Sequence, residues 1–154
     1  MSQSNDETYQ LLFCIDHKCA DMVLKELVDI YKTTLYSYNT AIKRYGVYLK
    51  PVHIVVKKSI SGDKVYHYYG KYWYKVVYNN GKLKWLYVGK EKPRQEIPDP
   101  PINPLVAIRI LNKGNDTSCI YLDKAYTLDK LYYYVVEAAK KSGCIDLATF
   151  YKSE

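Results

Sequence analysis

The alternation of apolar and polar residues in the first third of the chain predicts a strand followed by a long helix. Residues 9–15 form an apolar run of strand length. Asp16 stands where an N-cap belongs, and apolar residues then recur at steps of three and four as far as Tyr45. Gly46 is a typical residue for a helix stop. Because residues 33–40 include several poor helix formers, we expect a kink or a break in that part of the helix.

The middle of the chain follows the two-residue period of strands. After Pro51, residues 52–58 and 65–69 predict two strands separated by a turn at residues 61–63. Residues 71–78 and 82–88 then predict a β-hairpin around Asn79-Asn80-Gly81. If Asn80 and Gly81 form a two-residue turn, the cross-strand pairs are Tyr78 with Leu83, Val76 with Trp85, and Tyr74 with Tyr87.

The last third begins with a proline-rich connector. Residues 89–104 hold five of the six prolines, which favour extended backbone and supply no amide donor to a sheet. Beyond it, residues 105–111 and 117–122 predict two strands with a turn at residues 113–115. Thr127 is a candidate N-cap for a helix over residues 128–142, which Gly143 ends. Residues 145–150 are a last strand or a helical turn.

This order of elements predicts an α+β fold with a mainly antiparallel sheet and two principal helices. A ferredoxin-like core with a hairpin insertion fits the N-terminal βαβ and the C-terminal αβ pattern. We expect one compact domain over residues 1–154, the length of an ordinary single domain. The alternative is a split at the connector into residues 1–92 and 103–154.

Charge is concentrated in the middle of the chain. Residues 47–96 carry eleven Lys and Arg against three Asp and Glu, a net charge of +8 within a total of +7. Residues 1–46 are at −1 and residues 97–154 at zero. Such a local excess of positive charge attracts polyanions and releases their counterions on binding.

The predicted hairpin has two different faces. One is aromatic, with Tyr72, Tyr74, Tyr78, Trp85 and Tyr87, and is expected to be a core face. The other is basic and fits a groove or the phosphates of nucleic acid. The candidate nucleic-acid-binding residues are Lys71, Trp73, Lys75, Lys82, Lys84 and Lys90, with Lys57, Lys58, Lys92 and Arg94 extending the patch. The competing interpretation is an ordinary sheet whose outer lysines blunt an edge.

A resemblance to a known family lies in residues 67–90, which read HYYGKYWYKVVYNNGKLKWLYVGK. The segment resembles a β-ribbon near the N-terminus of archaeal virus tyrosine integrases, and the Lys- and Tyr-rich composition resembles crenarchaeal virus and plasmid proteins. The resemblance implies a ribbon that helps to bind DNA. It does not extend to recombinase activity, because no integrase catalytic set is present among the three arginines.

The cysteines, a possible metal site and a possible nuclease site are the other features of the sequence that bear on function. The four cysteines are expected to be small buried hydrophobic residues, with a Cys119–Cys144 bridge as the alternative in a hyperthermophile. Cys14, His17 and Cys19 lie within six residues but lack a Cys-x2-Cys knuckle, so we expect no metal site. Asp63, Glu91, Glu96 and Asp99 are the acids that a metal-dependent nuclease would use, but solvated loop charges are the favoured explanation for them.

The sequence therefore favours a nucleic-acid-binding protein, which contacts mostly phosphates with low sequence specificity because its cations are nearly all lysines. We expect DNA rather than RNA as the partner, no cofactor and no enzymatic activity. The alternatives are a protein-interaction or virion-associated module of an archaeal virus, with a homodimer included, and the nuclease.

No apolar run spans a bilayer and the N-terminus is polar, so we expect a cytoplasmic protein, in the host cytoplasm if viral. The 19 tyrosines are compatible with function or with an A+T-rich genome.

Overall fold

A computed structural model gives the fold and describes residues 8–126 and 129–144. As predicted, the class is α+β, and all strand pairs in the described residues are antiparallel. The elements are β1 (Tyr9–Asp16), α1 (His17–Ala41), β2 (Val47–Leu49), β3 (Val52–Lys57), β4 (Lys64–Tyr69), β5 (Trp73–Asn79), β6 (Lys82–Gly89), β7 (Ile108–Gly114), β8 (Thr117–Asp123) and α2 (Asp129–Ser142). No helix in these ranges is long and apolar enough to cross a membrane.

The chain divides into two compact units. Unit 1 comprises Met1–Ile30 and Pro104–Glu154, and unit 2 comprises Tyr31–Asn103. The boundary between Asn103 and Pro104 falls at the end of the proline-rich connector, whereas the other boundary falls inside α1. Unit 2 is thus inserted between the first half of α1 and the strands that follow the connector.

Unit 1 has a three-stranded sheet in the order β1-β8-β7, and its core contains residues from both helices. Phe13 and Ile120 stand opposite each other on the buried face of the sheet. Val23 and Leu27 of α1 and Val135 of α2 belong to the same core. The order β1, α1, β7, β8, α2 matches the first five elements of a ferredoxin-like βαββαβ unit. The expected sixth element, residues 145–150, and the candidate N-cap Thr127 lie outside the described residues.

Helix α1 is continuous from His17 to Ala41, so the expected break over residues 33–40 is absent. Its N-cap is the predicted one, since the Asp16 carboxylate accepts a hydrogen bond of 2.8 Å from the backbone N–H of Lys18. The predicted stripe is buried at Tyr31 and Leu35. Burial of this stripe overrides the weak helix propensity of the surrounding residues, because packing contributes most of the stability of a protein helix. The chain then turns at Gly46, whose φ is 69°.

All four cysteines are in disulfides, which corrects the expectation of buried free thiols. Cys14 is bonded to Cys119, its direct neighbour across β1 and β8, and Cys19 is bonded to Cys144. The pairing also differs from the Cys119–Cys144 alternative. Disulfides are typical of oxidising compartments or of intracellular proteins from hyperthermophiles. The expected cytoplasmic location therefore stays a prediction.

Unit 2 contains two small sheets, one in the order β2-β5-β6 and one formed by β3 and β4. Its buried residues come from the second half of α1 and the residue after it, from β2, from the start of β5 and from the connector, and include Leu35, Ile42, Leu49, Trp73 and Ile97. The connector is held to this unit by hydrogen bonds. The Tyr38 hydroxyl donates to the carbonyl of Pro98, and the Asn103 side-chain amide donates to the carbonyl of Tyr69.

Candidate nucleic-acid interface

The β5–β6 hairpin has the predicted register. Asn79 pairs with Lys82, so Asn80 and Gly81 form the two-residue turn, with φ of 52° and 75°. Positive φ at both central positions is the requirement of a type I′ turn, which Asn-Gly satisfies. The expected pairs Tyr78–Leu83, Val76–Trp85 and Tyr74–Tyr87 are all present. Because register fixes which side chains share a face, the two faces predicted for the hairpin are present.

Three of the candidate lysines occupy one face of the hairpin. Lys75 lies across from Leu86, Lys84 across from Val77, and Lys82 across from Asn79 at the tip. We call Lys75, Lys82 and Lys84 the lysine face. Lys75, Lys82 and Lys84 are exposed, and no ion pair within the described ranges involves them. Their ammonium groups are therefore available to an anion from solvent.

Trp73 is a core residue, so its assignment to the binding surface is wrong. It points to the same side of the sheet as Lys75, but only 3% of its surface is exposed. Its ring meets that of Tyr38 edge-on, at 6.3 Å between centroids. Val47 and Leu49 of β2 are buried on the same side of the sheet. This face is therefore core near β2 and solvated toward the tip, because β2 is too short to extend along the whole hairpin.

The expectation that the aromatic side of the hairpin is a core face is also wrong. Trp85 is 50% exposed, Tyr87 56% and Tyr78 80%, whereas Tyr72 and Tyr74 are half-buried. These rings line up instead with rings from the β3–β4 sheet and from β2. We call the whole set the aromatic face: Tyr48, His53, Tyr66, Tyr68, Tyr72, Tyr74, Tyr78, Trp85 and Tyr87.

Ring contacts connect the residues of the aromatic face. Tyr72, between β4 and β5, is its centre: its ring lies 4.7 Å from that of His53, 5.8 Å from Tyr68 and 6.0 Å from Tyr87. At the hairpin end, Trp85 packs against Tyr48 at 5.0 Å. The edge-to-face and tilted angles are those that aromatic pairs prefer. Burial, and then the nearby Tyr36, raise the pKa of Tyr48, which keeps this phenol neutral.

Three lysines lie over rings of the aromatic face. The Lys71 ammonium is 4.5 Å from the ring centroid of Tyr68, and that of Lys57 is 5.1 Å from Tyr66. Lys50 lies 5.2 Å from the ring centroid of Tyr74. Such cation–π contacts fix a flexible side chain while its charge remains available. Lys71 therefore belongs to this face and not to the basic face on which it was predicted.

Two of the four remaining candidate cations are paired with acids. Lys92 is 2.6 Å from Asp99, and Arg94 is 3.4 Å from Glu96. The pKa of the Glu96 carboxyl is lowered by its own backbone N–H and by Arg94, so that pair stays charged on both sides. Lys58 and Lys90 are exposed in segments outside the strands. Two of the predicted cations are thus neutralised locally, and the contribution of the other two stays a prediction.

Within residues 8–126 and 129–144, the residues that a metal site or a metal-dependent nuclease would use do not form a metal-binding group. No group of three His, Cys, Asp or Glu residues is placed to hold a metal ion. Cys14 and Cys19 are bonded to different cysteines, so they cannot act as thiolate ligands beside His17 while oxidised. Of the acids considered for a nuclease, Glu96 and Asp99 are paired with Arg94 and Lys92.

Sequence reasoning missed Tyr48, Lys50, Tyr66 and Tyr68 as parts of a surface. The signal was present in the two-residue spacing of Tyr66 and Tyr68, which places both on one face of β4. Which neighbour that face meets depends on how two separate sheets are arranged, and periodicity within one strand carries no information about that.

Comparison with known proteins gives no relative: no protein family, no curated protein and no solved structure matches this chain.

Proposed function

We propose that unit 2 binds nucleic acid, chiefly through phosphates. The observation that carries the proposal is the lysine face, where Lys75, Lys82 and Lys84 are exposed side by side without an acidic partner among the described residues. Unit 2 as a whole holds fourteen Lys and Arg against four Asp and Glu. The resemblance of residues 67–90 to a DNA-binding ribbon points the same way, and DNA rather than RNA remains the expected partner.

The proposal implies strong salt dependence and weak sequence preference. A lysine is a point charge that contacts phosphate without the paired donors by which arginine reads guanine. Unit 2 has only two arginines, Arg44 and Arg94, and both lie over the ring of Tyr45. Affinity should therefore fall steeply with added salt and vary little between sequences.

The test is fluorescence anisotropy with labelled DNA, as single strand and as duplex, over a salt titration starting at ~50 mM. The double variant Lys75→Glu/Lys84→Glu should weaken binding and reduce the slope of log K against log salt by roughly 1 to 2. Lys18→Glu/Lys25→Glu is the matched control, because it changes the net charge equally at exposed lysines of unit 1. The proposal is lost if the wild type binds neither form of DNA, or if the control variant weakens binding as much.

A second candidate, a protein-interaction or virion-associated module, is favoured by one observation. Ile54, Val56 and Val65 are all exposed on the side of the β3–β4 sheet opposite His53, Tyr66 and Tyr68. Exposed apolar groups that adjoin one another are a common mark of contact with a partner or a second copy. Light scattering of the wild type and of Val56→Lys separates this candidate from the first: a homodimer made through this patch should dissociate, and DNA affinity should not fall.

A further inference from the structure

The aromatic face contains two kinds of rings. Tyr66, Tyr68, Tyr72 and Tyr74 each have a lysine ammonium within 5.6 Å of the centroid. Trp85, Tyr87 and Tyr78 have no cation over them among the described contacts and are the most exposed rings of the set. The first group therefore holds positive charge in place, and the second leaves aromatic surface open.

This separation matches the two parts of a nucleotide. Lysines held over a row of rings suit phosphates, and open rings suit the flat faces of bases. A base inside a duplex already has neighbours on both faces, so it cannot stack on a protein ring without leaving the helix. An open aromatic surface flanked by cations therefore discriminates in favour of unpaired bases.

We propose that the aromatic face binds single-stranded nucleic acid, with unpaired bases stacking on Trp85 and Tyr87 and with Lys50, Lys57 and Lys71 contacting the phosphates. This inference rests on the proposed function and adds the form of nucleic acid that is bound. It also separates the two sides of the hairpin: the lysine face contributes charge to any polyanion, whereas the aromatic face recognises single strands. Since every base has a face that can stack, the binding is tolerant of sequence.

The hairpin provides a matched pair of variants. Trp85 and Leu86 are neighbours in β6, each is 50% exposed, and they point to opposite faces. We expect Trp85→Ala to weaken binding of labelled oligo(dT) roughly 5- to 150-fold, the loss of one stacked base, and to leave duplex affinity within about twofold. Leu86→Ala should change neither affinity by more than about twofold. Circular dichroism of both variants checks that the fold is intact.

Intrinsic fluorescence gives a second readout that does not depend on a truncation. The chain has two tryptophans, of which Trp73 is buried and Trp85 is exposed. Stacking should quench Trp85 as oligo(dT) is added, with the same midpoint as the anisotropy titration. In Trp85→Phe, which retains a ring, we expect binding to persist and the quenching to disappear.

The outcomes separate this inference from the proposed function. If the wild type binds no nucleic acid, both fail. If it binds duplex and single strand with equal affinity, and Trp85→Ala weakens both equally or neither, the proposed function stands and the aromatic face is not a site for unpaired bases. The inference holds only if the loss in Trp85→Ala is confined to single strands.

Discussion

Units 1 and 2 place their apolar side chains differently. In unit 1, residues from the sheet and from both helices form one core, and two disulfides join its segments. In unit 2 the strand β6 has no buried residue, and its tryptophan and tyrosine are half exposed. The two units differ in what covers the apolar face of the sheet, because a sheet stabilises a domain when a helix or a second sheet packs on that face. The aromatic side of the hairpin in unit 2 instead presents its rings to solvent.

Composition follows the same division. Unit 1 has nine Lys and Arg against twelve Asp and Glu, whereas unit 2 has fourteen against four. Unit 1 holds all four cysteines, and unit 2 holds both tryptophans and twelve of the nineteen tyrosines. Groups that stabilise a fold are thus concentrated in unit 1, and groups suited to contact a polyanion are concentrated in unit 2. Four measurements of stability test this contrast.

The largest effect should come from the disulfides of unit 1. They connect residues 105 and 125 positions apart. Because long closed loops restrict the unfolded chain most, loss of each disulfide should lower the free energy of unfolding by about 2–5 kcal/mol. Urea denaturation with and without dithiothreitol measures the change. A variant with serine at all four cysteines is the control, since the reductant should not affect it. Equal midpoints for the oxidised and reduced wild type would contradict the assignment.

Truncation of an aromatic ring should cost much more unfolding free energy in the core of unit 1 than on the aromatic face of unit 2. Phe13 is fully buried in the core of unit 1, so Phe13→Ala should cost about 3–5 kcal/mol of unfolding free energy. Trp85→Ala, on the open aromatic face, should cost less than about 1 kcal/mol. Urea denaturation followed by circular dichroism compares the two. A large loss in Trp85→Ala would mean that the aromatic face is a structural core in solution.

The backbone of Gly70 in unit 2 lies close to buried side chains, so this position should behave like a core position. Gly70 has a φ of 57°, and a Cβ added there would overlap the Tyr31 hydroxyl and lie 3.2 Å from Cδ1 of Leu35. Gly81 has a similar φ of 75° with open space around it. Gly70→Ala should therefore be less stable than Gly81→Ala by about 1–3 kcal/mol, the cost of overpacking. Equal stability of the two variants would show that only the backbone conformation matters at Gly70.

The smallest effect concerns alkaline pH. Burial raises the pKa of the Tyr31 hydroxyl from 10.0 to about 12. The folded chain therefore keeps this proton where the unfolded chain has lost it, so the contribution to stability is complete below pH 10 and is lost as the pH rises toward about 12. Tyr31→Phe should show a shallower decline of unfolding free energy over that range than the wild type. Tyr78→Phe, at an exposed tyrosine, should decline as the wild type does.

Local features of the fold were predictable because short-range physics determines them. The Asp16 N-cap and the buried stripe of α1 follow from spacing and from residue type. The predicted helix stop at Gly46 is only approximate, because α1 ends at Ala41 and Gly46 ends a separate 3-10 helix over Lys43–Tyr45. The register of β5 and β6 follows from Asn80-Gly81, since few residue pairs adopt a type I′ turn. Continuity of α1 was not predictable from its composition, because tertiary packing outweighs helix propensity.

The candidate site was predictable only in part. The presence of Lys75, Lys82 and Lys84 on one face follows from the two-residue period of a strand together with the register set by the Asn80-Gly81 turn. Two opposite errors, a binding role for Trp73 and burial for Trp85, have one origin. Periodicity identifies the two sides of a ribbon, but it does not say which side another element covers.

The element order, the turn, the hairpin register and the concentration of positive charge depend on neighbours along the chain, so they can be predicted from residue order. The disulfide pairing, the division into two units and the exposure of the aromatic face are visible only in the folded chain. Each of these depends on contacts between residues far apart in sequence, such as Cys19 with Cys144 and Tyr48 with Trp85. A pattern within one segment contains no information about the segment that it meets.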